Sequence, residues 1–363
     1  MWEVPYDYYR QVRGEKLMIK KYKVLRISKE ISSGSKVIGN ISRKEIEELA
    51  EVNAELVVVA GSEKNEVIAA VKDADIILVS SGGIPITRWI MEAAPKCRAI
   101  ITGSVGYDNI DVDAATDNNI IVVNDPAFEW CVEEVSNHAI SLLLNCAKKL
   151  IMLDNLVKQG CWAEAKKVQP PMGSIYGQTL GIIGCGNIGR MTARKANCFG
   201  LKVLGYDPYV ERFLVKENRI TMVSLPELLK VSDYVSAHPD LNKSSYHLMG
   251  ENEFKQMKLT AYFINTSRGK VVDEMALIKA LEEKWIAGAG LDVFEKEPLD
   301  KDNPLLKMDN VIVSPHSASY SDVAFDRMPM NVMQEAKRIL RGKWPNNMVN
   351  KSVKPRVELV KDN

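Results

Sequence analysis

Three polar side chains in the second half of the chain suit proton transfer beside a bound anion. They are Arg268, Glu297 before Pro298, and His316 after Pro315. Histidine changes charge near neutral pH, and an adjacent carboxylate favours the imidazolium and fixes the orientation of the ring. The planar fork of arginine can bind a 2-oxo acid. Singly, each also fits a solvated loop residue; together they suit hydride transfer to a ketone, whose alkoxide needs a proton donor.

A glycine-rich turn indicates what supplies the hydride. The apolar run Leu180–Ile183 leads directly into Gly184-Cys185-Gly186-Asn187-Ile188-Gly189, and a helix-like segment follows. The first glycine permits a tight turn, the second lets the backbone approach a pyrophosphate, and the third allows close helix–strand packing. Asp207 ends a second apolar strand about 20 residues later, where a carboxylate accepts ribose hydroxyls and repels a 2′-phosphate. The predicted cofactor is NAD, held by Gly184, Gly186, Asn187, Ile188, Gly189 and Asp207.

The elements that must position these residues alternate along the chain. Short apolar strands and helices follow one another from Lys21 onwards, which predicts an α/β fold with two doubly wound parallel sheets. In such sheets a ligand lies beyond the carboxyl ends of the strands. The strand-end residues that this places near the cofactor are His238, Thr266, Ser267, Arg268, Asp292 and His316.

The predicted domain organisation is an insertion. Residues 1–20 form an N-terminal arm, 21–126 and 320–350 a substrate domain, 127–319 an inserted NAD-binding domain, and 351–363 a C-terminal tail. Apolar residues recur at three- and four-residue steps from Cys131 to Gln159. That spacing predicts one long amphipathic helix that connects the two sheets and packs against a second subunit.

Composition excludes several other classes of protein. The chain has 48 Lys+Arg and 47 Asp+Glu, a formal net charge of +1, so we expect no general attraction to nucleic acid or to an anionic membrane. Its six cysteines lack metal-ligand spacing and are interpreted as small buried hydrophobes in a reducing compartment. The acidic N-terminus is unlike a signal peptide, and no apolar run approaches about 18 residues. We therefore predict a soluble cytoplasmic protein without a metal site.

Several motifs occur together, and their combination resembles the D-isomer-specific 2-hydroxyacid dehydrogenase family from about Val24 to Asn350. They are Gly106-Tyr107-Asp108-Asn109-Ile110-Asp111, the glycine turn with Tyr206-Asp207-Pro208, Asn265-Thr266-Ser267-Arg268-Gly269, Leu291-Asp292-Val293-Phe294 with Glu297-Pro298, and Ser314-Pro315-His316. Trp130–Val135 and Pro315–Ser321 resemble the branch that includes the C-terminal-binding proteins, although Ser319 and Thr102 depart from its pattern. The resemblance implies a Rossmann NAD-binding domain inserted into a flavodoxin-like substrate domain.

The resemblance also implies a role for each site residue. Arg268 would bind the substrate, His316 would be the acid/base, and Glu297 would be its carboxylate partner. The remaining implied contacts are Asp292 and the Thr266 backbone at the nicotinamide end, His238, Pro239 and Ser245 along the adenine and ribose, and backbone amides around Ser81, Gly82 and Gly83 on the substrate carboxylate. The family further implies a homodimer built through the NAD-binding domain and its long entry helix.

The sequence favours an NAD-dependent oxidoreductase that interconverts a 2-oxo acid and a D-2-hydroxy acid. Two alternatives stay open at this point: an NAD(H)-sensing binding protein of the corepressor type, and a phosphoglycerate dehydrogenase, although no regulatory domain is expected after Asn350. Asp240 departs from the family, in which most members carry a small residue or proline. This extra acid either weakens cofactor binding or faces solvent.

Overall fold

The computed structural model describes residues 21–28, 41–60, 64–80, 83–125, 129–168 and 174–361. These residues form two compact units: the described residues within 21–101, 111–123 and 330–361 make up one, and those within 102–110 and 124–329 make up the other. The second unit interrupts the first in sequence. The predicted arm (1–20) and two predicted substrate-binding residues, Ser81 and Gly82, lie outside the described residues.

The first unit contains a five-stranded parallel sheet. Its strands are β1 (Tyr22–Ser28), β2 (Ala54–Ala60), β3 (Ile76–Val79), β4 (Ala99–Thr102) and β5 (Ile121–Val123), in the order β2-β1-β3-β4-β5. This is the flavodoxin-like order, as predicted. The helices along this part of the chain are α1 (Arg43–Ala50), α2 (Lys64–Val71), α3 (Arg88–Glu92) and α4 (Val112–Asp117).

Local sequence explains where the first helix begins, and the end of the chain completes the core. The Ser42 hydroxyl accepts the Glu45 amide at 3.2 Å, and the Glu45 carboxylate accepts the Ser42 amide at 2.8 Å, which forms a capping box. The C-terminal half of the last helix, Asp322–Leu340, buries Met333 and Ile339 against Val24 and the other apolar residues of this sheet. The returning chain therefore belongs to the first unit's core.

The second unit contains a seven-stranded sheet with a Rossmann order. Its strands are β6 (Thr179–Ile183), β7 (Lys202–Tyr206), β8 (Thr221–Met222), β9 (Tyr234–Ala237), β10 (Tyr262–Asn265), β11 (Gly288–Leu291) and β12 (Val311–Val313). They lie in the order β12-β11-β10-β9-β6-β7-β8, with the chain reversing direction across the sheet at β6. The prediction of a doubly wound parallel sheet is confirmed. The strand that sequence missed, β8, has only two residues and gives no periodic signal.

The helices of the second unit differ from the prediction at one place. They are α5 (Glu129–Lys148), α6 (Leu150–Lys158), α7 (Trp162–Lys167), α8 (Asn187–Cys198), α9 (Arg212–Glu217), α10 (Leu225–Val231), α11 (Glu251–Gln256) and α12 (Glu274–Glu282); α13 is Asp322–Leu340. The single helix predicted from Cys131 to Gln159 is wrong, because Lys149 adopts a left-handed conformation with φ +52° and ends α5. The apolar spacing continues across Lys149, so the pattern concealed the break.

Three further expectations concern cysteines, membrane spans and metal sites. Cys97, Cys131, Cys146 and Cys185 are buried as predicted, but Cys161 is only half-buried and Cys198 is exposed, so the prediction was wrong for those two. Within the described ranges, no helix combines the length and the apolar character needed to cross a bilayer. The same residues contain no cluster of three or more histidine, cysteine or acidic side chains that could hold a metal ion.

Candidate active site

The glycine turn between β6 and α8 leaves open space at one position only. Gly184 has φ +86°, and a Cβ there would lie 2.5 Å from the Pro239 nitrogen. A Cβ on Gly189 would lie 2.1 Å from the Gly184 oxygen, whereas one on Gly186 would meet nothing within 4 Å. The first and third glycines are therefore required by contacts within the protein. The second opens the helix N-terminus, where backbone amides and the helix dipole favour a phosphate.

Asp207 holds this turn from the end of β7. Its carboxylate accepts the backbone amides of Cys185 at 2.8 Å, Tyr209 at 2.8 Å and Val210 at 3.1 Å. Each carboxylate oxygen has two lone pairs, so acceptor capacity remains for a hydroxyl donor. Asp207 thus fixes the shape of the glycine turn and also places a negative charge beside it.

Two buried polar atoms without partners lie at the ends of the adjacent strands β9 and β10. The Nε2 of His238 is 2.9 Å from the Ser236 hydroxyl, while its Nδ1 and the Oγ1 of Thr266 have no hydrogen-bond partner in the protein. Burial lowers the pKa of His238 to about 3, so the ring is neutral. A buried polar group without a hydrogen-bond partner costs about 1–3 kcal/mol, so two of them at the ends of adjacent strands suggest that a ligand supplies their partners. Together with the open glycine turn, they fit a nicotinamide dinucleotide.

The loop after β9 carries the other residues predicted on the cofactor side. The Ser245 hydroxyl donates to the Asp240 carbonyl at 2.5 Å and accepts the Asn242 amide at 2.9 Å, so it holds its own loop together. Asp240 is exposed, which agrees with the expectation that it faces solvent. Partial desolvation of its carboxyl still raises its pKa; the charge of Arg268 opposes this, and the acids Asp108 and Asp207 add to it.

His316 and Glu297 form a hydrogen-bonded pair. His316 has φ +53°, and its Nδ1 lies 2.7 Å from the Glu297 Oε2. Glu297 Oε1 also accepts the Phe294 amide at 3.1 Å. Burial raises the pKa of Glu297, but the hydrogen bond and charge of His316, the Phe294 amide and the charge of Arg268 together hold it below the usual 4.5. Glu297 is therefore ionised near neutral pH, and it engages the Nδ1 side of the imidazole.

The Asp292 carboxylate anchors the backbone around His316. Asp292 is fully buried after β11. Its carboxylate accepts the Ser314 hydroxyl at 2.6 Å and the amides of Ser317 and Ala318 at 2.9 Å each, and its carbonyl accepts the His316 amide at 2.8 Å. Four hydrogen bonds from Ser314 to Ala318 therefore support the left-handed residue. The predicted contact between Asp292 and the nicotinamide stays a prediction.

Arg268 is held by a segment to which sequence reasoning gave no role. Its Nε donates to Asp108 Oδ1 at 2.7 Å, and its Nη1 donates to the Ser267 carbonyl at 2.8 Å. A Cβ on Gly106 would lie 1.6 Å from the Arg268 Nη2. Gly106 and Asp108 belong to the motif Gly106–Asp111, where a glycine two residues before an acid was an available signal.

The structure brings part of the predicted site together within one unit. Arg268, Glu297 and His316 all follow strands of the Rossmann sheet. The positive charge of Arg268 helps to lower the pKa of Glu297. Of the predicted substrate-carboxylate residues only Gly83 is described; it belongs to the other unit, and its amide donates to the Ser80 carbonyl at 3.0 Å. The role of Gly83 stays a prediction.

Comparison with known proteins agrees with this geometry. Residues 140–318 match the family model described as D-isomer specific 2-hydroxyacid dehydrogenase, NAD binding domain. A glyoxylate reductase of Korarchaeum cryptofilum is 45% identical over 291 residues, covering 80% of this chain and 87% of the reductase. The D-lactate dehydrogenase of Aquifex aeolicus, solved with NAD and lactic acid, has a TM-score of 0.75 at 30% identity, covering 88% of this chain and 96% of its own. An NADPH-dependent glyoxylate/hydroxypyruvate reductase of Sinorhizobium meliloti, solved with NADP and malonate, has a TM-score of 0.79 at 28% identity, covering 94% and 100%.

The fold and the site thus define a nicotinamide-dependent oxidoreductase with an inserted Rossmann domain. More specifically, the chain belongs to the D-isomer-specific 2-hydroxyacid dehydrogenase family.

Proposed function

We propose that this protein interconverts a 2-oxo acid and a D-2-hydroxy acid with NAD as cofactor. The observation that carries the proposal is the 2.7 Å pair between His316 Nδ1 and Glu297 Oε2, in the unit that also holds the glycine turn. We assign that unit as the cofactor domain, predicted as residues 127–319. The other unit is assigned as the substrate domain, predicted as 21–126 and 320–350.

In this proposal His316 moves the proton and Glu297 keeps the ring ready to do so. The bound nicotinamide supplies or accepts the hydride. Because Glu297 engages Nδ1, the Nε2 of His316 is the atom that donates a proton to the substrate oxygen, or removes one in the reverse direction. The ionised Glu297 holds the ring through Nδ1, which leaves Nε2 directed at the substrate oxygen.

Arg268 binds the substrate in this proposal. Asp108 and the Ser267 carbonyl hold its guanidinium, which leaves little side-chain freedom to lose on binding. Backbone amides around Ser81, Gly82 and Gly83 are proposed to bind the substrate carboxylate. Glyoxylate is a suitable first substrate to assay, because the Korarchaeum relative is named a glyoxylate reductase.

Replacing His316 with glutamine tests the mechanism. The His316→Gln protein should bind NADH nearly as well as the wild type, while turnover of 2-oxo acids falls by about 10²-fold or more. Steady-state rates across a panel of 2-oxo acids and NADH fluorescence titrations measure both. His247→Gln is a matched control, because His247 also contacts a carboxylate, Glu295, at 2.6 Å. Full turnover in His316→Gln would remove His316 from the mechanism. A wild type that binds NADH tightly yet reduces no acid would favour the NAD(H)-sensing alternative.

The preference for NAD over NADP is proposed from Asp207. A carboxylate there accepts ribose hydroxyls and repels a 2′-phosphate. We expect Asp207→Ser to raise the Kd for NADH by about 10-fold or more, which is a loss of about 1.4 kcal/mol of binding free energy. The same change should reduce the preference for NADH over NADPH. Titration of both cofactors measures this, with Asp309→Ser at an exposed turn as a control for lost charge. A wild type that binds NADPH as tightly as NADH would contradict the proposal.

We also propose a homodimer and a cytoplasmic location. The homodimer is supported by exposed apolar residues on α6 and α7, which include Leu150 and Trp162. The location is supported by the six cysteines, all of which are free thiols.

A further inference from the structure

A hydrogen-bonded chain runs from α5 to the backbone that carries His316. His138, on α5, places its Nε2 2.8 Å from the Ser314 hydroxyl, and that hydroxyl donates to Asp292 Oδ1 at 2.6 Å. A hydroxyl has a single proton, and here Asp292 receives it. The His138 Nε2 must therefore carry a hydrogen and donate it to Ser314. In the series from His138 through Ser314 to Asp292, each hydrogen bond is therefore donated towards the buried carboxylate.

The Asp292 carboxylate needs this support because it is removed from water. Its side chain is 1% exposed, and among the described residues the basic side chain paired with it is His138, at 3.6 Å from Oδ1. A buried carboxylate is costly unless several donors satisfy it, and here they are neutral amides and a hydroxyl. A donor behind Ser314 polarises that hydroxyl and strengthens its bond to Asp292.

The turn that Asp292 holds is strained at His316 itself. A left-handed conformation is unfavourable for a residue other than glycine, and His316 has φ +53°. The amides on both sides of this strain, His316 itself and then Ser317 and Ala318, all donate to Asp292. Loosening the carboxylate would allow the turn to relax and would move the imidazole away from Glu297.

We propose that His138 is a positioning residue: through Ser314 and the Asp292 carboxylate it holds the backbone turn that presents His316 to Glu297. The inference rests on the proposed acid/base role of His316. It gives a function to a histidine outside the predicted site, and it does not require His138 to touch substrate or cofactor.

The experiment compares two replacements of His138 that differ in the donor they offer. Glutamine places an amide N–H near the position of Nε2, whereas leucine fills similar space without a donor. We expect His138→Leu to lower kcat by about ten-fold, the size of one lost hydrogen bond, with a smaller change in KM. His138→Gln should recover most of that loss. Ser314→Ala should behave like His138→Leu, and Ser141→Ala, one turn away on the exposed side of α5, should behave like the wild type.

A second measurement does not depend on activity. The chain has four histidines, so long-range ¹H–¹⁵N spectra of histidine-labelled protein without added cofactor contain four imidazoles that single replacements can assign. We expect wild-type His138 to show a protonated Nε2, and the His316 ring nitrogens to shift in His138→Leu but not in His138→Gln.

Unchanged His316 shifts in His138→Leu would overturn the positioning role, and so would equal effects of leucine and glutamine. If the wild type reduces no 2-oxo acid, the proposed function fails, while the spectra still decide whether His138 positions His316.

Discussion

At the scale of single residues, the role of each carboxylate in the site depends on which donors bind it. Asp292 is compensated by backbone amides and a hydroxyl, so it acts as a structural anchor. Glu297 is compensated chiefly by the imidazole of His316, so in the proposed mechanism its charge supports proton transfer. Two acids that follow the same sheet therefore have different tasks because their donors differ.

The lowered pKa of Glu297 predicts a specific pH dependence of stability. A carboxyl group whose pKa is lower in the folded than in the unfolded protein stabilises the fold above the unfolded value and loses this contribution as pH falls through the folded value. The usual value is 4.5 and the folded value lies below it. We therefore expect Glu297→Gln to be less stable than the wild type above about pH 5. The difference should shrink as pH falls below 4.5. Urea unfolding from pH 7 to the acid limit measures it; a difference that is constant with pH would contradict the assignment.

Sequence could identify the residues that follow strands but not every contact that holds them. Arg268, Glu297 and His316 were predicted because each follows a recognisable strand, and Glu297 was expected to pair with His316. Two other contacts were missed because nothing local marks them: Asp108 lies 160 residues from Arg268, and His138 lies 176 residues from Ser314. Only the folded sheet brings such pairs into contact, so side-chain positioning is the part of the site that sequence did not reveal.

At the scale of elements, the turn between β6 and α8 divides its glycines between folding and binding. Gly184 is required by its positive φ and by the backbone of His238 and Pro239 behind it. Gly186 has φ −65° and open space in front of it. The first position therefore serves the fold, and the second keeps the helix N-terminus accessible to a phosphate.

This division predicts opposite results for two alanine replacements. Gly184→Ala should lower the free energy of unfolding by more than about 1 kcal/mol, because a left-handed alanine is strained and its Cβ meets backbone atoms. Gly186→Ala should leave that free energy nearly unchanged and weaken NADH binding by about ten-fold or more, because its Cβ enters the space for the pyrophosphate. Urea unfolding and NADH titration of both variants provide the measurement. Tight NADH binding by Gly186→Ala would place the phosphates elsewhere.

The order of strands and helices was predictable from the sequence, but one helix break was not. Alternation of strands and helices gave both sheets, since burial on two faces requires apolar runs that are visible in sequence. The break at Lys149 was not visible, because the same three- and four-residue spacing continues into α6. Apolar spacing shows that a face is covered, but it does not identify what covers it.

At the scale of the whole molecule, α6 and α7 present apolar side chains that their own chain leaves exposed. Neither helix buries a residue, and the exposed fractions are 59% for Leu150, 45% for Ile151, 43% for Val157 and 61% for Trp162. Isolated helices of this length are marginal in water, so packing must stabilise them. A second copy of the chain, meeting the same surface across a two-fold axis, would bury these residues.

The homodimer can be tested by placing charges on that surface. We expect the wild type to have twice the 40.6 kDa chain mass in size-exclusion chromatography with light scattering. Leu150→Asp combined with Trp162→Asp should weaken the dimer by at least about 100-fold and shift the mass to one chain at low micromolar concentration, since truncating interface anchors costs about 2 kcal/mol or more each. Leu259→Asp is the matched control, because Leu259 is 72% exposed but lies outside α6 and α7. A single-chain mass for the wild type would contradict the homodimer. A dimer retained by the double variant would mean that the subunits meet through a different surface.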